Sequence, residues 1–396
     1  MKILVVCQYY PPEPVRIGDI CKWLQDRGHE VSVITGIPNY PMGYVYQDYR
    51  GGKKRDEVID GVKVHRTFTV GRRKGVFFRL LNYFSFAISS SIYASRMKEE
   101  FDVVFVNQLS PVMMACAGIK YKKKHGKKLL LYSLDLWPES LCVGGIRKGS
   151  FVYRVFHKIS KRIYQNVDRL LVSSKSFSDY FEKEFGIKGS VYWPQYAESL
   201  FTPRTCAKKS GDSVDLMFAG NLGTAQSVDT IIKAAKETED ILNLRWHIVG
   251  DGSELENLMQ MTERLELHSV VFHGRQPLEE MPRFYAMADA MLVTLQKEPI
   301  ISLTLPGKVQ TYMAAGKPLI GAIDGETPLV IRDSRCGKCC DAEDYVSLAR
   351  LVREMIAEDR FSEYGQNAVE YYESRFSKEK NLFVLESELL NLSGKK

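Results

Sequence analysis

A chain of 396 residues, 45% hydrophobic and 26% charged, is too long for one ordinary core and suits two domains of roughly 150–200 residues each. That balance excludes a disordered chain, and the lack of any clean apolar run of about 20 residues argues against a membrane-spanning helix. The net charge of +7 gathers in two runs, Arg72-Arg73-Lys74 and the lysines between Lys120 and Lys128. No nucleic-acid motif accompanies it, so nucleic acid is not an expected partner.

The opening apolar run, Lys2–Cys7, is too short for a signal peptide and reads as a strand, so a cytoplasmic chain is expected. Arg16–Arg27 then has Ile17, Ile20, Cys21 and Leu24 on one helical face, and Gly28 ends it before a strand over Glu30–Thr35. Val76–Ala94 follows the first basic run. It reads either as a buried helix or as an aromatic helix lying on a membrane surface. The basic runs themselves are either solvated faces or contacts for anionic headgroups or a phosphorylated acceptor. Strands are predicted at Val103–Asn107, Lys128–Ser133 and Arg169–Ser173.

The alternation weakens between Gly186 and Asp212, where the polar run Lys208–Ser213 lies, and restarts with a strand at Asp215–Ala219 and a helix at Asp229–Thr238. Strands follow at Arg245–Val249, Val270–His273, Ala290–Leu295 and Pro318–Ala322. The pattern predicts two successive α/β domains, each a doubly wound parallel sheet, over 1–195 and 196–376. A last helix, Ser377–Leu392, leads a segment 377–396 able to pack back on the first domain. Eight scattered cysteines read as reduced thiols, and the cluster Cys336, Cys339, Cys340 has no second ligand pair for zinc.

Ligands of such sheets bind beyond the carboxyl ends of the strands. After the first strand there is no G-x-G-x-x-G, which argues against a dinucleotide oxidoreductase. A Pro-rich loop runs instead to Gly18, which is either a helix N-terminus open to a phosphate or a plain turn glycine. In the second domain three strands in succession end in glycine turns, FAGNLG (Phe218–Gly223), Gly250-Asp251-Gly252 and His273-Gly274-Arg275. Glycine lets backbone approach a ligand closely. The most informative stretch is Ser302–Gly321: Pro306-Gly307-Lys308 opens a helix, which suits a diphosphate held by free amides and an ammonium. In the first domain Asp135, Trp137 and Glu139 follow a strand. Asp135 is a candidate base for an acceptor hydroxyl, Trp137 a candidate stacking platform for a sugar, and Glu139 either an acceptor-side carboxylate or a loop-orienting one.

Taken together, these motifs resemble the GT-B glycosyltransferases of family 4, particularly the bacterial O-antigen and capsular polysaccharide branch that includes fucosamine transferases. The resemblance is carried by the PPEP-x-x-x-G loop, RGHEVSVIT, PNYPMG, DLWPES, FAGNLG, the VGDG turn, HGRQP and PGKVQTYMAAGKP. It implies two Rossmann-like domains facing across a cleft, with the nucleotide on the second and the acceptor on the first. Two departures stand out. Asn221 and Gln226 occupy places where many members carry cations for the diphosphate. Leu303 and Thr311 occupy the places of a glutamate pair, leaving Thr311 as a weaker contact for the ribose.

The resulting expectation is a retaining hexosyl transfer from a uridine diphosphate sugar. Gly220 and the amides around Pro306, Gly307 and Lys308 hold the phosphates, and Lys308 offsets charge on the leaving group. Arg275 and Gly250 lie near the base and ribose, and Gly18 borders the diphosphate. Asp135 orients or deprotonates the acceptor, a polyprenyl diphosphate-linked or other glycan, with peripheral contact to the inner face of the plasma membrane. No cofactor and no metal are expected. Two rivals remain: a nucleotide-sugar epimerase of the same fold, which would turn over donor alone, and a non-catalytic binding partner in an assembly complex.

Overall fold

The structure, a computed structural model, describes all residues but Lys74, Gly144, Lys209, Ser210 and Lys396. The last member of the first basic run and part of the polar run Lys208–Ser213 therefore lie outside the described residues. The chain divides into two compact units, Met1–Trp193 with Leu382–Lys396, and Pro194–Asn381.

The first unit is built on eight strands: β1 (Lys2–Val6), β2 (Glu30–Gly36), β3 (Asp56–Ile59), β4 (Val62–Thr67), β5 (Val103–Gln108), β6 (Lys128–Ser133), β7 (Arg169–Val172) and β8 (Val191–Tyr192). Their order is β3-β4-β2-β1-β5-β6-β7-β8, and every pairing is parallel except β3 with β4. Central strands covered on both faces must be apolar throughout, and Ile3–Val6 and Val103–Val106 are wholly buried. The predicted central strands end within a residue or so of the observed ones. The β3–β4 hairpin is an addition: its outer strand, Asp56-Glu57-Val58-Ile59, lies at a sheet edge with none of its residues fully buried, where no continuous apolar run is needed.

The second unit holds six parallel strands: β9 (Val214–Ala219), β10 (Leu244–Val249), β11 (Val270–Gly274), β12 (Ala290–Thr294), β13 (Leu319–Ala322) and β14 (Gly337–Cys340). Their order is β11-β10-β9-β12-β13-β14. Cys339 and Cys340 of the cysteine cluster fall on edge strand β14, Cys336 lies just before it, and their thiols are free. Both units are thus Rossmann-like.

The direction of winding reverses beside β1 and β5 in the first sheet and beside β9 and β12 in the second. At such a switch point the loops leaving the two strands part in opposite directions and open a crevice. Helix Lys378–Ser393 packs on the first unit. Leu382, Leu385 and Leu389 are wholly buried there, Glu386 meets Arg27 and His29, and Arg169 pairs with Glu388. Among the described residues no helix is long and apolar enough to cross a membrane.

Candidate active site

At the switch point of the second unit, three turns lock into one another. Gly220 N–H donates to the Val249 carbonyl, Leu222 N–H to Asp251, and Gly250 N–H to Gly274, each at 2.9 Å. Gly250 has φ +149°, and a Cβ there would lie 1.8 Å from the Gly220 carbonyl oxygen. Its glycine is therefore demanded by the neighbouring turn itself, whatever binds beyond it.

Helix Gly307–Ala314 is fixed against this platform by Tyr312. Its buried hydroxyl accepts from Ala219 N–H at 3.0 Å and donates to the Ala219 carbonyl at 2.9 Å. That anchor brings Lys308, one turn earlier, over the end of β9. The ammonium sits 3.8 Å from the Phe218 ring centroid and donates to Gln226 Oε1 at 2.6 Å. A Cβ on Gly220 would come within 2.9 Å of Lys308 Nζ, so the glycine is what admits the ammonium to the turn. Burial pushes the Lys308 pKa down to about 7, because a charge held in the protein interior loses its hydration.

The neutral residue at Gln226 now has a local reason. A cation at that position would face Lys308, whereas the Gln226 amide oxygen accepts from it. Gln226 is held in turn by its own carbonyl, which accepts from Thr294 Oγ1 at 2.6 Å at the end of β12. Asn221 is exposed beside Gly220, and Arg275 is exposed just after β11. Pro306 is the residue before the first helical turn, and Gly307 packs against Gln195. Thr311 is buried, and its hydroxyl donates to the Gly307 carbonyl of its own helix at 3.2 Å. Phe218 and Tyr312 are absent from the sequence-derived site. The signal for Phe218 is strand parity, since it precedes Gly220 by two residues and shares its face.

In the first unit Asp135 lies half-buried just after β6. Its carboxylate accepts from the Ser140 hydroxyl, and its carbonyl accepts from Gln108 Nε2 at 3.1 Å. Burial raises its pKa above the ordinary carboxylate value, against the lowering pull of Ser140 and Ser110. A raised pKa makes a more competent base. Of its two neighbours, Trp137 does not fit the stacking role, and Glu139 takes the loop-orienting one of its two alternatives. Trp137 is only 1% exposed; its indole donates to Ser110 Oγ at 2.8 Å and its ring packs edge-on with Tyr83 and Phe156, so it offers no face to a sugar. Glu139 is 0% exposed, and Oε1 accepts from Tyr153 (2.8 Å), Lys148 (3.0 Å) and Tyr180 (3.2 Å). It orients the chain after β6 rather than meeting an acceptor. Gly18 is the second residue of helix Ile17–Asp26 and not a turn glycine. A Cβ there would lie 2.4 Å from Pro11 Cγ, so contact with the Pro-rich loop requires glycine. Among the described residues no group of three His, Cys, Asp or Glu side chains is arranged to hold a metal.

Comparison with known proteins agrees with this architecture. Residues 14–190 match the family described as "Glycosyl transferase 4-like domain", and residues 206–384 match "Glycosyl transferases group 1". WcaI of Escherichia coli, named as a candidate colanic acid biosynthesis glycosyl transferase, is 25% identical over 350 residues, which cover 83% of this chain and 85% of WcaI. WbjE of Pseudomonas aeruginosa, also named as a glycosyltransferase, is 28% identical over 243 residues, covering 58% of this chain and 60% of WbjE. The fold is shared with Anabaena HepE, solved in complex with UDP and glucose: TM-score 0.70 at 15% identity, covering 98% of this chain and 99% of that one. The chain thus joins a glycosyl transferase 4-like domain, over 14–190, to a glycosyl transferases group 1 domain, over 206–384, on the GT-B fold.

Proposed function

We propose that the protein transfers a hexosyl group, with retention of configuration, from a uridine diphosphate sugar to a glycan on polyprenyl diphosphate, in assembly of a bacterial surface polysaccharide such as O-antigen or capsule. The observation that carries this reading is the Lys308 ammonium lodged at the Gly220 turn, beside the first turn of helix Gly307–Ala314. As the bond from the anomeric carbon to the diphosphate oxygen breaks, the leaving uridine diphosphate gains charge. Lys308 and the positive end of the helix stabilise that charge without a metal. The acceptor oxygen bonds to the same face of the anomeric carbon, and Asp135 takes or orients its proton. In this reading Arg275 and Gly250 are assigned to the base and ribose, and Gly18 to the diphosphate. The name of WcaI supports the polysaccharide setting, and the UDP complex of HepE supports the donor class. The resemblance to fucosamine transferases points to an N-acetylated or deoxy amino sugar, and a lipid-borne acceptor implies peripheral contact with the inner membrane face.

The test is calorimetric titration of uridine diphosphate into wild type, Lys308→Ala and Asp135→Asn, followed by transfer assays with lipid-linked acceptors. We expect micromolar binding to wild type, weakened about tenfold or more in Lys308→Ala. Asp135→Asn should bind as wild type but transfer about tenfold slower or worse. A well-folded wild type that binds no nucleoside diphosphate would reject transfer. The neutral residues Asn221, Leu303 and Thr311 would then point to a non-catalytic partner.

A further inference from the structure

Helix Val76–Arg96 carries two opposed stripes. Tyr83, Phe86, Ser90 and Ala94 are buried against the first unit, while Phe77, Leu81, Phe84, Ile88 and Ile92 are exposed, Phe77 by 68%. The steps of four, three, four and four residues keep the exposed set on one side of the helix. The serines do not spoil this face, because Ser90 and Ser91 each donate to a carbonyl one turn back, Phe86 and Ala87, at 2.6 Å. The apolar face extends onto a second helix. The Phe84 and Phe156 rings lie 6.4 Å apart, and helix Phe151–Tyr164 exposes Phe151 by 75%, with Val152 and Val155 beside it. A continuous apolar surface of this kind is uncommon on a soluble monomer and marks a contact.

Charge identifies what it contacts. The sequence has no Asp or Glu between Asp60 and Glu99, nor between Glu139 and Asp168. The two helices and their flanks instead expose Arg73, Arg79, Arg154, Lys158, Lys161 and Arg162. A second copy docked through the same face would set cations against cations, since a two-fold interface is self-complementary. An anionic bilayer offers the opposite sign together with an apolar interior.

We propose that these two helices form one lipid-docking face, which lies flat on an anionic membrane with Phe77, Ile88 and Phe151 entering the acyl boundary and the arginines meeting phosphate headgroups. This deepens the peripheral contact proposed above and rests on that part of the reading alone.

The experiment is co-sedimentation of the full chain with vesicles of phosphatidylcholine, and of phosphatidylglycerol mixed with phosphatidylcholine in equal amounts, with uridine diphosphate titrated into every preparation. Wild type should bind the anionic vesicles and not the neutral ones, less tightly as salt rises. Phe77→Ser with Ile88→Ser, and separately Arg154→Glu with Lys158→Glu, should each weaken binding by about fivefold or more. Exchanging Arg283 and Arg332, exposed on the second unit, for Glu should change nothing. Absent vesicle binding, equal binding by wild type and the Ser pair, or a wild-type dimer that the Ser pair makes monomeric would overturn the proposal. If nucleotide binding survives that failure, this inference alone falls. Vesicle binding without nucleotide binding rejects only the donor reading.

Discussion

Lys308 shows how one side chain's surroundings set its chemistry. Free lysine keeps its proton up to pH 10.5, whereas here burial brings the pKa down to about 7. The sign for stability follows. Below pH 7 the fold carries the whole cost of a desolvated charge. Between pH 7 and 10.5 the unfolded chain binds a proton that the folded chain lacks, so this group's contribution to stability improves as pH rises through that window. A bound diphosphate reverses the balance by favouring the ammonium. At pH 8 uridine diphosphate should therefore bind with uptake approaching about one proton, and its affinity should fall as pH rises. Calorimetry in two buffers of different ionisation enthalpy measures the uptake, and Lys308→Ala should abolish it. Zero uptake in wild type would mean that the diphosphate does not reach this ammonium.

Among elements, helix Gly307–Ala314 is packed through Val309 and Met313 and tied to the end of β9 by one hydroxyl. Tyr312→Phe removes both bonds to Ala219 and leaves buried backbone groups short of a partner, a loss of about 1–3 kcal/mol in denaturant unfolding. Because the same anchor sets Lys308 over Phe218, uridine diphosphate should bind more weakly as well. An unchanged affinity would show that packing alone fixes the helix. The glycine turns of this unit were readable from sequence, since glycine after a strand announces close approach. Which neighbour approaches was not readable: Gly250 meets the Gly220 carbonyl, and Gly18 meets Pro11. Trp137 and Glu139 follow a strand just as Asp135 does. Only packing shows that their neighbours Tyr83, Phe156, Tyr153 and Tyr180 close over them.

At the scale of the molecule, the last helix completes the first unit from the far end of the chain. Leu385→Ala should destabilise by about 2–5 kcal/mol, with the loss read by hydrogen exchange in the strands of the first unit. Loss of protection confined to the second unit would refute this placement. Two Rossmann-like units are legible in the amino-acid order alone, because buried parallel strands need continuous apolar runs and their covering helices need one apolar stripe. The glycine turns and the helix bearing Lys308 are legible too, because these signals are local. The rest came from packing in three dimensions. It set Lys308 against Gln226 and Phe218, closed the core around Trp137 and Glu139, added the edge strands β3 and β14, and turned one stripe of Val76–Arg96 outward. Each of these depends on residues distant in sequence, and burial, which fixes both pKa and availability, is a property of neighbours.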